Sequence, residues 1–237
     1  MRRTNLSAIL SAAAGLVLFG FAGGSGAQLI LASGSDADVT EDGLHRVDPS
    51  IMEAAWVKPE LDLSRYTRIL LMPTAVQFRD VSDQRYNARS RLNVTEFSLD
   101  DKEKEWLRAA WRSAVEARFA KDESYERFEG VDSDVLVVQA FLVDVVSRIP
   151  PNAVGSNFTL VKDPWSVTVV LELRDATTAE LLARTIDRRN AQGLIEAGAV
   201  WMQTEDLVER WAQVPSDRLK QLSDLGGRGR MTPGWAR

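Results

Sequence analysis

Residues able to carry covalent or acid–base chemistry are few in this sequence. It has no cysteine and one histidine, His45. Disulfides, thiolate nucleophiles and cysteine-ligated metals are thereby excluded. A single histidine cannot build a multi-histidine metal centre. It could serve a serine–histidine–acid triad only beside a strained nucleophile elbow, and no G-x-S-x-G occurs. No G-x-x-x-x-G-K-S/T loop or G-x-G-x-x-G turn follows an expected strand, so no phosphate cradle is expected. Gly226-Gly227-Arg228-Gly229 has no helix after it to hold a phosphate. No cofactor and no metal are expected.

What remains is carboxylates, arginines and aromatics. Asp144, Glu172, Asp175 and Asp187 fall on or beside expected strands. A catalytic acid pair needs two carboxyls facing each other across a cleft, and spacing alone places no two of them so. Asp175 reads more simply as a turn former, its side chain bonding the backbone two residues on. Arg79, Arg85, Arg89 and Arg91 could grip a phosphate or carboxylate with their guanidinium forks. With Asp80 and Asp83 among them, they read first as a solvated loop. The loop from Pro150 to Pro164 is longer than a hairpin needs and carries Val154, Phe158 and Leu160. Phe158 and Trp165 are the expected binding anchors there, with Arg85 and Arg89 as the polar candidates.

Positioning these groups falls to a small set of elements. Thr67–Met72 is a short apolar run closed by Pro73, and Val76–Phe78 continues it past a kink. A helix is expected from near Ser98, with Trp106-Leu107, Ala110-Trp111, Ala114-Val115 and Phe119 as one buried stripe. Asp134–Arg148 is apolar on both alternating faces, as a central covered strand requires. Trp165–Arg174 alternates as a half-buried strand, and Glu180–Arg188 pairs back on it across Asp175-Ala176-Thr177-Thr178. Ala199–Ala212 is a second amphipathic helix, broken or restarted at Pro215. The expected fold class is α+β, an α/β two-layer sandwich. Its mixed sheet has about four strands in β-α-β-β-β-α order, with helices mainly on one face.

The opening Met1-Arg2-Arg3, the apolar stretch 6–22 and the small residues ending at Ala27 have the form of a secretory signal peptide. Cleavage is expected after Ala27, with a periplasmic or outer-membrane-associated destination. Kept uncleaved, the same stretch could anchor the chain; membrane contact is expected only in that case. With no cysteine after it, no lipid anchor is expected. Residues 28–43 read as a disordered acidic linker, 44–225 as one domain with an irregular lead-in through Leu63, and 226–237 as a flexible basic tail. The formal net charge of -5 argues against nucleic acid as a partner.

Several stretches together resemble one bacterial family. They are Asp42-Gly43-Leu44, Trp56-Val57-Lys58-Pro59, Asp62-Leu63-Ser64 with Tyr66, and the strand ending in Pro73. Asp134-Val135-Leu136, Leu173-Arg174-Asp175 with Glu180-Leu181-Leu182-Ala183, and the closing tryptophan-bearing helix complete the set. The chain is similar in these to the exported family called domain of unknown function 3313, over roughly Asp42 to Leu225. The resemblance implies export, often as a lipoprotein, and lends no catalytic residues. This chain departs from it in lacking the lipid-bearing cysteine and in having Ala179 where such a turn favours glycine.

The function expected on these grounds is a non-enzymatic envelope binding or assembly module whose partner is another envelope protein. The alternative is a small-ligand-binding or hydrolytic role using the Arg79–Arg91 loop and a strand carboxylate.

Overall fold

The thirteen residues apolar on both faces form the central strand of a mixed sheet. The computed structural model describes residues 31–81, 96–150, 160–191, 194–196 and 200–227. In chain order the strands are β1 (His45–Arg46), β2 (Ala55–Val57), β3 (Arg68–Leu71), β4 (Ala75–Phe78), β5 (Glu126–Arg127), β6 (Val135–Ser147), β7 (Leu160–Lys162), β8 (Trp165–Asp175), β9 (Leu181–Asn190) and β10 (Leu194–Glu196). Helix α1 (Asp101–Ala120) lies between β4 and β5, and α2 (Val200–Leu225) follows β10.

The main sheet runs β1-β2-β9-β8-β6-β3-β5, with β4 also on β6. Strands β3 and β4 lie parallel to successive parts of β6, interrupted at Pro73. Strands β6, β8 and β9 form an antiparallel meander. The overall class is α+β with a mixed sheet, but the main sheet has eight strands, not about four. The difference comes from β4, the expected continuation of the first strand, which forms a strand of its own after Pro73, and from β1, β2 and β5, which have two or three residues each. Runs that short leave too few positions for alternation to be read. A separate ribbon pairs β7 with β10.

The expected lead-in is therefore not irregular. Strand β2 pairs with β9, and β1 pairs with β2. The acidic stretch before it is tied down from Leu31 onward. Leu31 and Val39 bridge Val47 and His45. Asp38 accepts the Trp56 indole N–H at 3.1 Å, and Arg184 donates to Asp42 at 3.3 Å. At the other end, the Leu63 N–H donates to the Gly226 carbonyl. A Cβ at Gly226 would press within 3.2 Å of the Leu63 backbone nitrogen. Residues 1–30 and 228–237 lie outside the described residues.

Helix α1 starts three residues later than Ser98 suggested. Asp100 caps it, accepting the Glu103 N–H at 2.8 Å while Glu103 accepts the Asp100 N–H at 2.9 Å. That reciprocal box satisfies two backbone donors, which a lone serine would not. Leu107, Trp111, Val115 and Phe119 recur every four residues and are buried. Helix α2 runs unbroken through Pro215. Proline inside a helix costs about 3 kcal/mol. Trp211, Leu219 and Leu222, before and after it, are all buried in the core, and their packing outweighs that cost. The helices pack on each other, and α2 packs on β8 and β9. Odd-numbered residues of β8 from Trp165 to Leu173 face that layer and are buried. On the other face, Phe141, Val170 and Ile186 lie side by side across β6, β8 and β9, and Ile186 is 37% exposed.

Candidate functional site

Each strand carboxylate is where the sequence put it, and each is held in an ion pair. Asp175 ends β8 at the hairpin turn. Its Oδ1 accepts the Thr177 and Thr178 N–H groups at 2.8 and 2.9 Å and the Thr177 hydroxyl at 2.6 Å. Its Oδ2 accepts the Tyr66 hydroxyl at 2.8 Å and an Arg65 N–H at 2.6 Å. Burial by itself would raise the Asp175 pKa, but these donors outweigh it and hold the carboxyl well below its ordinary range. The same burial pushes the Tyr66 phenol up to about 12.

Glu172 accepts from Arg174 at 2.7 Å and from Arg184 at 2.8 Å. Burial opposes its ionisation, and the two arginines still bring its pKa below the usual value. Asp187 accepts two N–H groups of Arg218 on α2 and one of Arg189 at 3.1 Å. Asp144 sits in the β6 irregularity with a left-handed φ of 54°, a conformation aspartate tolerates better than most residues. Arg79 meets it with two parallel bonds of 2.6 and 2.7 Å and also reaches Glu96 at 2.7 Å. Arg79 holds the Asp144 pKa down.

The four carboxylates do not converge. Glu172 and Asp187 lie on opposite faces of the sheet, and Asp144 and Asp175 lie at opposite ends of the β6–β8 pair. His45 is in β1, half-buried beside Val57, and its ring makes no hydrogen bond among the described residues. Among the described residues no cluster of potential ligands could hold a metal. No helix there is long and apolar enough to cross a membrane.

Of the expected binding anchors, the described residues include Trp165 alone. Trp165 is not at the surface: it opens β8 with 0% exposure, and its indole N–H donates to Thr204 on α2 at 3.0 Å. Its place at the end of the long loop suggested exposure, but it is the first inward residue of the strand's alternation. Phe158, Arg85 and Arg89 lie outside the described residues, as do Arg91 and Val154.

Two features escaped the sequence reading. One is a joint where the lead-in crosses the β8–β9 hairpin. Lys58 pairs with Glu180 at 2.8 Å, Asp62 caps Ser64, and Tyr66 meets Asp175. Thr67 and Arg68 both bond Asp134, holding its pKa down at about 2. The other is a groove of about 630 Å³ between the end of β9 and α2, whose charged lining residues are Arg188, Arg189, Arg210 and Asp217. The adjacent Arg188-Arg189 pair was a visible signal, but Arg210 joins it only through the packing of α2 on β9.

Fold and site define an α+β sandwich whose strand carboxylates are structural ion-pair partners. The chain belongs to the family described as Protein of unknown function (DUF3313), which matches residues 41–214. The search of curated proteins gave no match. Among solved structures, it is similar to the PelC dodecamer from Paraburkholderia phytofirmans at 12% identity and a TM-score of 0.30, over 70% of this chain and 93% of that one. It is also similar to the hypothetical protein CT253 from Chlamydia trachomatis, at 9% identity and a TM-score of 0.35, over 65% and 96%. A putative neuraminyllactose-binding hemagglutinin homolog from Helicobacter pylori aligns at 9% identity and a TM-score of 0.30, over 68% and 95%.

Proposed function

We propose that the protein is an exported, non-enzymatic binding or assembly module of the cell envelope. The observation that supports this is the state of its carboxylates. A general acid must keep its proton near neutral pH, so enzymes raise the pKa of that carboxyl. Asp144, Glu172 and Asp175 are shifted the other way. Asp187 is bonded to Arg218 and Arg189. Arginines that could have received a substrate anion, such as Arg79, already hold protein carboxylates. Such pairs fix strands and turns; they do not exchange protons. Function then rests on surface, and binding energy spread over a surface falls in steps as anchors are removed.

The test is a panel of single alanine variants at His45, Arg85, Arg89, Glu172 and Asp187, scored against the phenotype of deleting the gene. Normal folding is checked by circular dichroism, and export by an N-terminus at Gln28. Near-normal function in all five is the expected result. One folded, exported variant that reproduces the deletion would overturn the module in favour of an active site.

A further inference from the structure

We propose that the sheet face turned away from the helices is the contact surface between two copies of this chain, packed face to face across a two-fold axis; this deepens the assembly reading above and rests on it. Three observations carry it. The first is a missing layer. Residues paired across a ladder share a face, so Phe141, Val170 and Ile186 form one apolar band, with Val143 on one side of it and Val137 and Leu70 beyond the other. The α2 contacts to Trp165 and Asp187 put both helices on the opposite face. There Ala140, Leu142, Val169 and Leu171 of the same strands are at most 1% exposed. On the band's side Val137, Phe141, Val143 and Val170 are only half-buried, and Ile186 is exposed. A central strand apolar on both faces calls for a cover on each. Among the described residues β6 has its helical cover on one face alone.

The second observation is charge. Glu172, beside the band, is held by Arg174 and Arg184. Asp144, past Val143 on β6, is held by Arg79, with Arg188 near enough to help keep it ionised. Both acids that flank the band are thus paired within the chain. A partner rich in one sign of charge would find no free opposite charge here, and burying an unpaired charge is costly. A second copy brings the same band and the same internally paired flanks, so neither surface strands a charge. The third is size. The face is five strands wide from β2 to β3, at about 4.8 Å each, and about 30 Å long on the β6–β8 pair, so it offers roughly 700 Å² per copy. A stable interface takes about 800 Å² from each partner. Val170 lies at the middle of β8. A two-fold axis lying between the faces and passing beside it sets band on band with the strands nearly aligned, as in β-sandwiches.

The experiment uses the full chain as its own cells produce it. Sedimentation equilibrium at about 1–100 μM protein should show a dimer. Ile186→Lys, at the most exposed position of the band, should weaken dimerisation by about a hundredfold or more, with circular dichroism unchanged. Arg112→Glu, on the exposed side of α1, should leave the dimer intact. The chain has no cysteine, so the single thiol of Val170→Cys can be joined to its own copy by a bis-maleimide about 10 Å long, the separation of stacked sheets. Cross-linked dimers are expected there and none from Lys102→Cys on α1. A monomer at every concentration, or a dimer indifferent to Ile186→Lys and not cross-linked through position 170, would overturn the proposal. A monomer that sediments with phosphatidylethanolamine–phosphatidylglycerol vesicles, and ceases to with Ile186→Lys, would also overturn it, making the occupant a lipid surface. Either failure leaves the binding-module reading standing so long as the alanine panel stays near normal.

Discussion

Asp175 is the residue on which the hairpin and the lead-in depend together, and replacing it by alanine should cost more than any other single carboxylate removal here. The residue is 3% exposed. Its loss leaves the Tyr66 hydroxyl, on a fully buried side chain, without its acceptor. An orphaned buried donor costs roughly 1–3 kcal/mol. The Thr177 and Thr178 N–H groups lose a charged acceptor as well, though water can reach these exposed turn residues. Arg65 is 57% exposed and adds little. The expected loss for Asp175→Ala is about 2–4 kcal/mol, from one orphaned buried donor and the charge-assisted bonds lost at the turn. Asp175→Asn keeps an oxygen for the turn but presents an N–H₂ group toward Tyr66 and Arg65, so it should cost roughly 1–3 kcal/mol. Urea unfolding at pH 7 measures both. A pH series adds a second reading. The folded-state pKa of Asp175 lies below its unfolded value, which is about 3.9. Its stabilisation is therefore complete above that value and is lost as pH falls through the acid range toward the folded pKa. Wild type should lose stability below about pH 4 more steeply than Asp175→Asn does. A loss under about 1 kcal/mol for the alanine variant, the range of surface positions, or identical acid slopes would refute the network.

Two further predictions concern the same fold. Ala179, at the hairpin turn, has a φ of 57°, a left-handed conformation costing an L-residue about 1–2 kcal/mol; Ala179→Gly should raise the urea midpoint by a net gain of roughly 0.5–1 kcal/mol after the added chain entropy, and a lowered midpoint would contradict the turn geometry. Trp111 and Trp165 are both 0% exposed, but the Trp111 indole nitrogen has no acceptor and the Trp165 one donates to Thr204. Trp165→Phe should therefore cost more than Trp111→Phe, by about 1 kcal/mol in urea unfolding; the reverse order would place the hydrogen bond wrongly.

Long elements with a sustained pattern were legible in the sequence, and contacts between distant elements were not. Strands β6, β8 and β9 have ten or more residues each, enough for alternation to declare both faces. Helix α1 shows its buried residues at every fourth position. Strands β1 and β2 carry no such pattern; β2 exists because β9 offers it a partner 126 to 130 residues further along the chain, and β1 pairs in turn with β2. The site divides in the same way. Asp175 was readable as a turn former from its own neighbourhood, and its Oδ1 does cap Thr177 and Thr178. Its other oxygen meets Tyr66 and Arg65, which are 109 and 110 residues away, and no local spacing encodes that meeting. Trp165 failed for a related reason: its sequence neighbourhood is a loop, while its environment is a helix 39 residues later.

The residues that carry the resemblance to the family clarify what was legible. Lys58, Asp62, Tyr66, Asp134, Asp175 and Glu180 were picked out without any structure, as scattered short motifs. In the fold they converge on one joint, where the lead-in is clamped across the hairpin and the start of β6. Their bonds are to one another and to neighbouring backbone, not toward a cavity. A joint of this kind holds the scaffold together, and scaffold contacts say nothing of a ligand. The groove at Arg188, Arg189 and Arg210 draws on none of these residues. The binding-module reading therefore places recognition on surface outside this joint.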